Sequence, residues 1–289
     1  MIICPKCNKE LARKDVPCNI CGYSAAVTGE IVCFHKEVAE DFERNEELVE
    51  AYSSISENHF FSSTRKRKVI KLMERYVPLT DKILEIGPGS GYMMRYLIKN
   101  GYRIDCADNI IKTLKRCEGE DHYGLYQFDI MEHPFREEYD VVLLFDVLEH
   151  AEDDLSFLKR IWLMLKPKGK IILTVPALMQ LWSEWDEKSG HKRRYSSENL
   201  EKVIEGAGFK VQEVKYFFFM TIPFIFAVRK FKDIIKYFGI RFGFGSEYNM
   251  PKYVNAIMMS LMNIEDLLSK HIKYPLGSSI IMVAEKIDQ

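Results

Sequence analysis

Short apolar runs, each stopped by glycine or by an acid, alternate along the chain with stretches where apolar residues recur every three or four positions. Ile83, Leu84 and Ile86 stop at Gly87, Gly89 and Gly91, and Tyr92 to Leu97 restarts as a helix. Tyr102 to Ala107 ends at Asp108, and Asn109 to Arg116 reads as a helix. Tyr123 to Phe128 ends at Asp129, and Tyr139 to Phe145, continuously apolar as a parallel strand buried on both faces should be, ends at Asp146. Leu155 to Leu165 has helical periodicity, Lys166 to Gly169 reads as a turn, and Lys170 to Val175 as a fifth strand. Ser196 caps a helix running to Gly206, which leads to a strand from Phe209 to Tyr216, and Ser279 to Glu285 is the last strand. Strands and helices in alternation predict an α/β chain wound around a parallel sheet.

Three stretches carry a different pattern. His35 to Tyr52 alternates charge with Val38, Phe42, Leu48 and Val49 and reads as a solvated linker helix. Val69, Ile70, Leu72 and Met73 form an amphipathic helix whose wet face takes Arg65, Lys66, Arg67 and Lys68, a cluster that would otherwise suggest nucleic acid. Phe217 to Gly277 is an insertion before the last strand. Within it Ile225, Val228, Phe231, Ile234, Ile235 and Phe238 follow helical spacing, with Arg229, Lys230, Lys232 and Lys236 interleaved. Such a basic amphipathic helix can lie on an anionic bilayer or cover a pocket, and packing is the preferred reading. The longest apolar run, Tyr216 to Val228, has thirteen residues with Pro223 inside it. It is shorter than the roughly 18 residues that span a bilayer.

The glycine turn offers unpaired N–H groups to a nucleotide-like ligand. Its spacing is Gly-x-Gly-x-Gly rather than the dinucleotide Gly-x-Gly-x-x-Gly, and Glu85 stands two places before it, where a carboxylate repels pyrophosphate and suits an ammonium or sulfonium. Asp108 lies twenty-one residues past Gly87, where a ribose-binding acid belongs in a doubly wound sheet. At these residues the sequence resembles the class I S-adenosylmethionine-dependent methyltransferases of the type 11/12-like subgroup, in motif order over about Ser63 to Leu173. The resemblance implies a Rossmann-like fold on a mostly parallel seven-stranded sheet, with S-adenosylmethionine held by Glu85, Gly87, Gly89, Gly91, Asp108 and Asn109. It further implies that Asp129 bonds the adenine amino group, that Ile130 packs near the ring, and that the backbone of Phe145 and Asp146 meets the methionine part. An acid such as Asp129 can instead cap the following turn. By the same resemblance His59, Phe60, Phe61 and Arg65 lie at the mouth of the site. Asp146, Glu149 and His150, a His and two acids close together, also suggest a divalent metal, and the stretch Val147-Leu-Glu-His150 is similar to one that takes part in metal binding in ubiquinone-type O-methyltransferases, although Glu-His is widespread in methyltransferases that need no metal.

Cys4-Pro-Lys-Cys7 and Cys18-Asn-Ile-Cys21 are two knuckles ten residues apart, the spacing of a tetrahedral zinc site. Four sulfurs leave no open position, so the zinc is structural, and a ribbon this short buries too little apolar surface to fold without it. The module resembles zinc ribbons, which usually mediate contacts. The expected organisation is a ribbon over 1–26, a linker helix and cofactor-mouth segment over 27–62, and a catalytic domain over 63–289 with its insertion at about 217–277. A chain of 289 residues, 47% hydrophobic, supports one large domain and an appendage. A net charge of −1 argues against broad neutralisation of phosphates. Seven cysteines without a recognisable export signal point to a reducing, cytoplasmic setting.

Between Leu181 and Tyr195 lies a loop dense in Trp, His, Arg and acids, similar to the Trp-x-x-x-Asp…Gly-His-x-Arg-Arg-Tyr stretch of the same subgroup. It reads as a recognition loop, with a lid held by ion pairs as the alternative. For a hydroxyl acceptor a base must take the proton, and His150 and His191 are the candidates, either of them oriented by Asp186. The expected function is in-line methyl transfer to an oxygen of a small, sugar-like or lipid-linked acceptor, with possible peripheral membrane contact. The alternative is an RNA methyltransferase that uses the ribbon and the Arg65 to Lys68 cluster. A non-enzymatic cofactor-binding module is a third reading, and the glycine spacing disfavours an NAD-dependent oxidoreductase.

Overall fold

A computed structural model describes residues 1–14, 16–34, 59–120, 124–132, 134–227 and 251–287. In chain order the elements are β1 (Ile2–Ile3), β2 (Glu10–Leu11), β3 (Ala26–Thr28), β4 (Ile31–Cys33), α1 (Phe60–Tyr76), β5 (Ile83–Ile86), α2 (Tyr92–Lys99), β6 (Ile104–Asp108), α3 (Ile111–Leu114) and β7 (Gly124–Gln127). They continue with β8 (Tyr139–Phe145), α4 (Asp154–Met164), β9 (Leu165–Pro176), α5 (Glu184–Lys188), α6 (Ser197–Gly206), β10 (Phe209–Phe217), α7 (Lys252–Leu268) and β11 (Ser279–Lys286).

The main sheet runs β10-β11-β9-β8-β5-β6-β7-β4-β3. Pairing is parallel from β9 through β8, β5, β6 and β7 to β4, and antiparallel at β9/β11, β11/β10 and β3/β4. Nine strands stand where seven were expected. The extra pair is the hairpin β3/β4, which adds Ile31, Val32 and Cys33 beside Leu125, Tyr126 and Gln127 and so covers an edge that β7 would otherwise leave open. The turn expected at Lys166 to Gly169 lies inside β9. Pairing with β8 jumps from Tyr139 and Leu165 to Val141 and Lys170, so these residues bulge out of the ladder, with Lys168 at φ 59°.

Alternate residues of the central strands serve two cores, because successive side chains in a strand point to opposite faces. Ile83, Val141 and Leu143 meet α1, α2 and α7 on one side through Val69, Met94 and Met258. Leu84, Val142 and Leu144 meet α4 and α6 on the other, through Leu158, Ile161 and Leu200, and there Cys4, Leu11 and Cys18 of the ribbon join the same core. The ribbon is pinned by Ile3 N–H donating to the Pro134 carbonyl at 2.6 Å and by a bridge between Ile2 and Phe135. Phe135 is the hub: its ring centroid lies 6.0 Å from Phe34, 5.1 Å from Tyr126, 5.6 Å from Phe128 and 5.3 Å from Tyr139.

Of the insertion, α7 and a helical turn over 222–227 are described. The linker helix expected from His35 to Tyr52, residue Tyr123, and Val228 to Phe238 with their cations lie outside the described residues. The basic cluster does not form one wet face: Arg65 turns inward and is buried, while Arg67 and Lys68 pair with Asp266 of α7 at 3.1 and 2.5 Å.

Phe135→Ala should lower the free energy of unfolding by about 3–5 kcal/mol, since a large ring is removed where two modules meet. Urea denaturation measures this, and a loss below about 1 kcal/mol, the scale of an ordinary surface change, would mean that the cluster does not couple ribbon to sheet.

Candidate functional site

Parallel strands that feed right-handed crossovers leave a crevice outside their carboxyl ends. Here the ends of β5, β6, β7 and β8 and the N-terminal part of α1 enclose a cavity of about 790 Å³. At Gly87 the backbone turns left-handed (φ 69°), and a Cβ there would stand 2.8 Å from Cγ2 of Val147. Gly91 (φ 74°) opens α2, and its added Cβ would meet the Arg95 guanidinium at 2.9 Å. Only glycine accommodates both the angle and the crowding at these two positions.

Glu85, Gly87, Gly89, Asp108, Asn109, Asp129, Ile130, Phe145 and Asp146 all line the cavity, as do Phe61, Arg65 and His150. Gly91 shapes the turn without lining it. His59 caps α1, its Nδ1 accepting from Phe61 N–H at 3.3 Å, and Phe60 packs on Phe218, so neither is at the mouth. Asp129 Oδ1 accepts from Met131 N–H at 2.8 Å, so it caps a turn and faces the cavity at once.

The acids are unusual for their burial. Glu85 is 2% exposed and its Oε2 has no hydrogen-bond partner among the described residues. Burial pushes its carboxyl up to about 8, with Cys117 adding to the effect and Arg95 opposing it. Burial likewise pushes Asp108 up to about 7, against hydrogen bonds from the N–H groups of Ile110 and Asn109. Beside them Arg65 forms an ion pair with Asp146, stacks 4.4 Å from the Phe61 centroid, and reaches the Tyr92 hydroxyl at 3.5 Å. Burial draws the guanidinium pKa down, but the Asp146 carboxylate more than reverses this. Asp146 is left-handed (φ 56°), a strained angle for a non-glycine residue, and accepts from Thr174 Oγ1 at 2.9 Å. Tyr92 and Thr174 escaped the sequence reading. Tyr92, the first helical residue after the glycines, could have been found by position, whereas Thr174 carries no local signal.

The loop after β9 is held by Asp186. This buried carboxylate accepts from Arg194 Nε at 2.8 Å and Nη2 at 3.0 Å, from Ser183 N–H at 2.9 Å, and from His191 Nδ1 at 2.8 Å. Burial alone would raise it, but the His191 and Arg194 hydrogen bonds hold it at about 2. His191 and Asp186 do not line the cavity. His191 stands behind His150, ring edge to ring face with centroids 4.8 Å apart, and its Nε2 lies 4.0 Å from Glu149 Oε1. Burial, with His191 adding, lowers His150 to about 4. Glu149 is fully buried, and burial followed by Asp146 raises its carboxyl well above the usual range. One ligand atom from each of Glu149, His150 and His191 falls within 4.8 Å of the others, so a cation could be held there, with His191 in place of Asp146 in the expected set.

In the ribbon, Sγ of Cys4 lies 3.5 Å from that of Cys21 and Sγ of Cys7 lies 3.7 Å from that of Cys18. Four sulfurs each about 2.3 Å from one tetrahedral zinc stand about 3.8 Å apart, so the donor set fits that ion.

Residues 58–214 match the family described as Methyltransferase domain. Over 135 residues the chain is 27% identical to a malonyl-[acyl-carrier protein] O-methyltransferase of Enterobacter lignolyticus (strain SCF1), covering 43% of this chain and 53% of that protein. Over 109 residues it is 31% identical to a ubiquinone biosynthesis O-methyltransferase of Bradyrhizobium diazoefficiens, covering 36% and 42%. The chain thus spans about half the length of the curated relatives it matches. The fold is similar to a chain from the complex between the Haloferax volcanii Trm112 methyltransferase activator and a methyltransferase, with a TM-score of 0.57, 17% identity, and coverage of 87% of this chain and 100% of that one. It is also similar to Haemonchus contortus phosphoethanolamine N-methyltransferase 2 in complex with S-adenosyl-L-methionine, with a TM-score of 0.54, 18% identity, and coverage of 88% and 61%.

Metal analysis of the purified protein should find one zinc per chain, and Cys18→Ser should lose it together with part of the folding free energy. Folded protein that carries no zinc would remove the assignment.

Proposed function

The chain belongs to the methyltransferase domain family, and on that premise we propose that it is an S-adenosylmethionine-dependent methyltransferase that acts on an oxygen of a small, sugar-like or lipid-linked acceptor. The observation that carries this reading is the convergence of Glu85, Asp108 and Asp129, at the tips of three neighbouring parallel strands, on one glycine-walled cavity. Both matched relatives are named as O-methyltransferases, which favours oxygen as the methylated atom. In this reading residues 1–26 form the ribbon with structural zinc and 63–289 the catalytic domain.

S-adenosylmethionine, when bound, supplies a methyl group on a sulfonium that is already activated toward in-line attack. The protein's own work is therefore alignment and exclusion of water. Glu85 suits the cationic part of that ligand, because an unpartnered buried carboxylate gains most from a positive charge. Asp108 can accept from ribose hydroxyls, Asp129 can accept from the adenine amino group, and Ile130 can pack on the ring. Arg65, on the cavity wall beside Asp146, is the cation that would meet a carboxylate. His150 is the base that lines the cavity. Burial keeps its imidazole neutral at pH 7, so it can accept a proton as the acceptor oxygen attacks. His191 and Asp186 act through it as positioning residues: Asp186 fixes the ring of His191, and His191 supports the ring of His150. The RNA reading loses ground, because three cations of its cluster are turned inward or paired with Asp266.

Calorimetry with S-adenosylmethionine should show binding that strengthens as pH rises toward 8 and then levels. Glu85 is protonated below about 8 in the free protein, so a cationic ligand must displace that proton and release it to buffer. Affinity that is flat across this range, with no proton release, would remove Glu85 from the site. Methyl-labelled S-adenosylmethionine incubated with cell extract should place label in lipid, glycan or small-molecule fractions. His150→Ala should cut turnover by about 10²–10⁴-fold while leaving cofactor binding intact. Label confined to RNA would overturn the acceptor class.

A further inference from the structure

One apolar surface is used by neither the cores nor the cavity. Helix α7 leaves Tyr253 70%, Ile257 58%, Ile264 48% and Leu267 60% exposed. Spacings of four, seven and three place these residues on a single stripe, opposite the buried Met258, Met262 and Glu265. The stripe lies on a helix whose only two acids are withdrawn from it. Glu265 is buried and accepts from the N–H groups of Phe218 and Met220 at 2.7 and 3.0 Å, and Asp266 is taken by Arg67 and Lys68. Exposed cations bracket the stripe instead, Lys252 in the first turn and Lys270 and Lys273 just past the last. Two further exposed aromatic residues, Phe224 at 41% and Phe226 at 49%, lie on the helical turn over 222–227, a few residues past the Met220 bond with α7.

We propose that this face of α7 docks on an anionic lipid surface. Clustered apolar side chains of this size mark a partner, and the charge pattern decides which kind. A two-fold contact with a second copy, helix antiparallel to helix, would set the lysines at each end of one stripe against those of the other, with no acid on either face to offset them. Anionic headgroups meet the same cations favourably while the apolar stripe sinks to the acyl boundary, and Tyr253 suits the level between. No helix among the described residues is long and apolar enough to cross a membrane, so the contact is peripheral. The inference rests on the proposed methyl transfer only in its purpose, which is to bring the cavity to an acceptor held in a membrane.

The test is flotation of the full chain with vesicles of phosphatidylcholine alone or mixed with phosphatidylglycerol. Binding is expected to the mixed vesicles, to weaken with salt, and to be at least about tenfold weaker to phosphatidylcholine, since each cation near an anionic surface contributes about fivefold. Ile257→Asp with Leu267→Asp should abolish binding, and Lys270→Glu with Lys273→Glu should reduce it by about 25-fold or more, judged by the same contribution per cation. Both variants should keep the wild-type thermal midpoint and heat of S-adenosylmethionine binding, which separates this proposal from the methyltransferase reading. Protein wholly in the unbound fraction, an Asp variant that floats like the parent, or light scattering that shows a dimer broken by Ile257→Asp would each overturn it.

Discussion

A buried carboxyl oxygen without a hydrogen-bond partner is a cost that folding alone does not recover, and Oε2 of Glu85, in the middle of the sheet, has none among the described residues. The neighbouring geometry follows from keeping it there. Strands β5 and β8 are too apolar to offer it a cation, and Gly87 bends the chain away immediately after it. Arg95, the cation that acts on it through space, has its Nη2 committed to the Ser90 carbonyl at 2.8 Å. The result is a cavity wall on which burial favours the protonated form of Glu85 and draws Asp108 toward it, the two carboxyls being raised to about 8 and about 7. A cationic ligand reverses that balance, which links specificity for charge to proton release rather than to a fixed ion pair.

The ribbon is part of this arrangement and not an appendage to it. Phe128, which lines the cavity, touches Phe135, which in turn touches the strand pairing of β1. The hairpin β3/β4 extends the same sheet edge next to β7, the strand whose end at Gln127 leads into Asp129. A module expected to carry a contact thus spends much of its surface on its own domain, since Cys4, Leu11 and Cys18 lie in the core shared with Leu84 and Val142. Loosening of the ribbon would reach the Phe128 side of the cavity first, because that wall has the ribbon for backing.

Much of the sheet was legible because local pattern and burial agree there. Val141 to Phe145 is a continuous apolar run, and with Tyr139 and Asp140 before it the stretch is β8 to the residue. Ser196 is read as a cap from its type and position, and its hydroxyl accepts from Asn199 N–H at 3.2 Å. What escaped depends on residues far apart in sequence. Ile31 to Cys33 is too short to announce a strand, and its partner Leu125 lies far down the chain. By spacing Arg65 is one of four cations on a wet face, and by resemblance it lies at the mouth of the site; the structure turns it inward to the cavity and pairs it with Asp146. Periodicity could not separate these, since Arg65 and Lys68 share a helical face by spacing and differ by what stands opposite. Among the candidate bases, residue types pointed to chemistry but not to depth: His150, just after β8, reaches the cavity, whereas His191, in the loop after β9, is held behind it by its bond to Asp186.

That same helix α1 joins the two functional surfaces. Arg65 faces the cavity and Arg67 and Lys68 grip Asp266, so neighbouring positions on one helix reach the Asp146 side of the cavity and the back of α7. Phe60 N–H donates to Asn255 Oδ1 at 2.8 Å, which ties the start of α1 to the start of α7 as well. Two sets of contacts thus join the N-terminal half of α1 to the start and the end of α7, so the helix that carries the exposed stripe packs on the element that positions Arg65. Asp266, the acid that pairs with both Arg67 and Lys68, therefore has two effects. It removes negative charge from the outer face, which leaves that face fit for anionic headgroups, and it locks α1 in the register that sends Arg65 inward to Asp146.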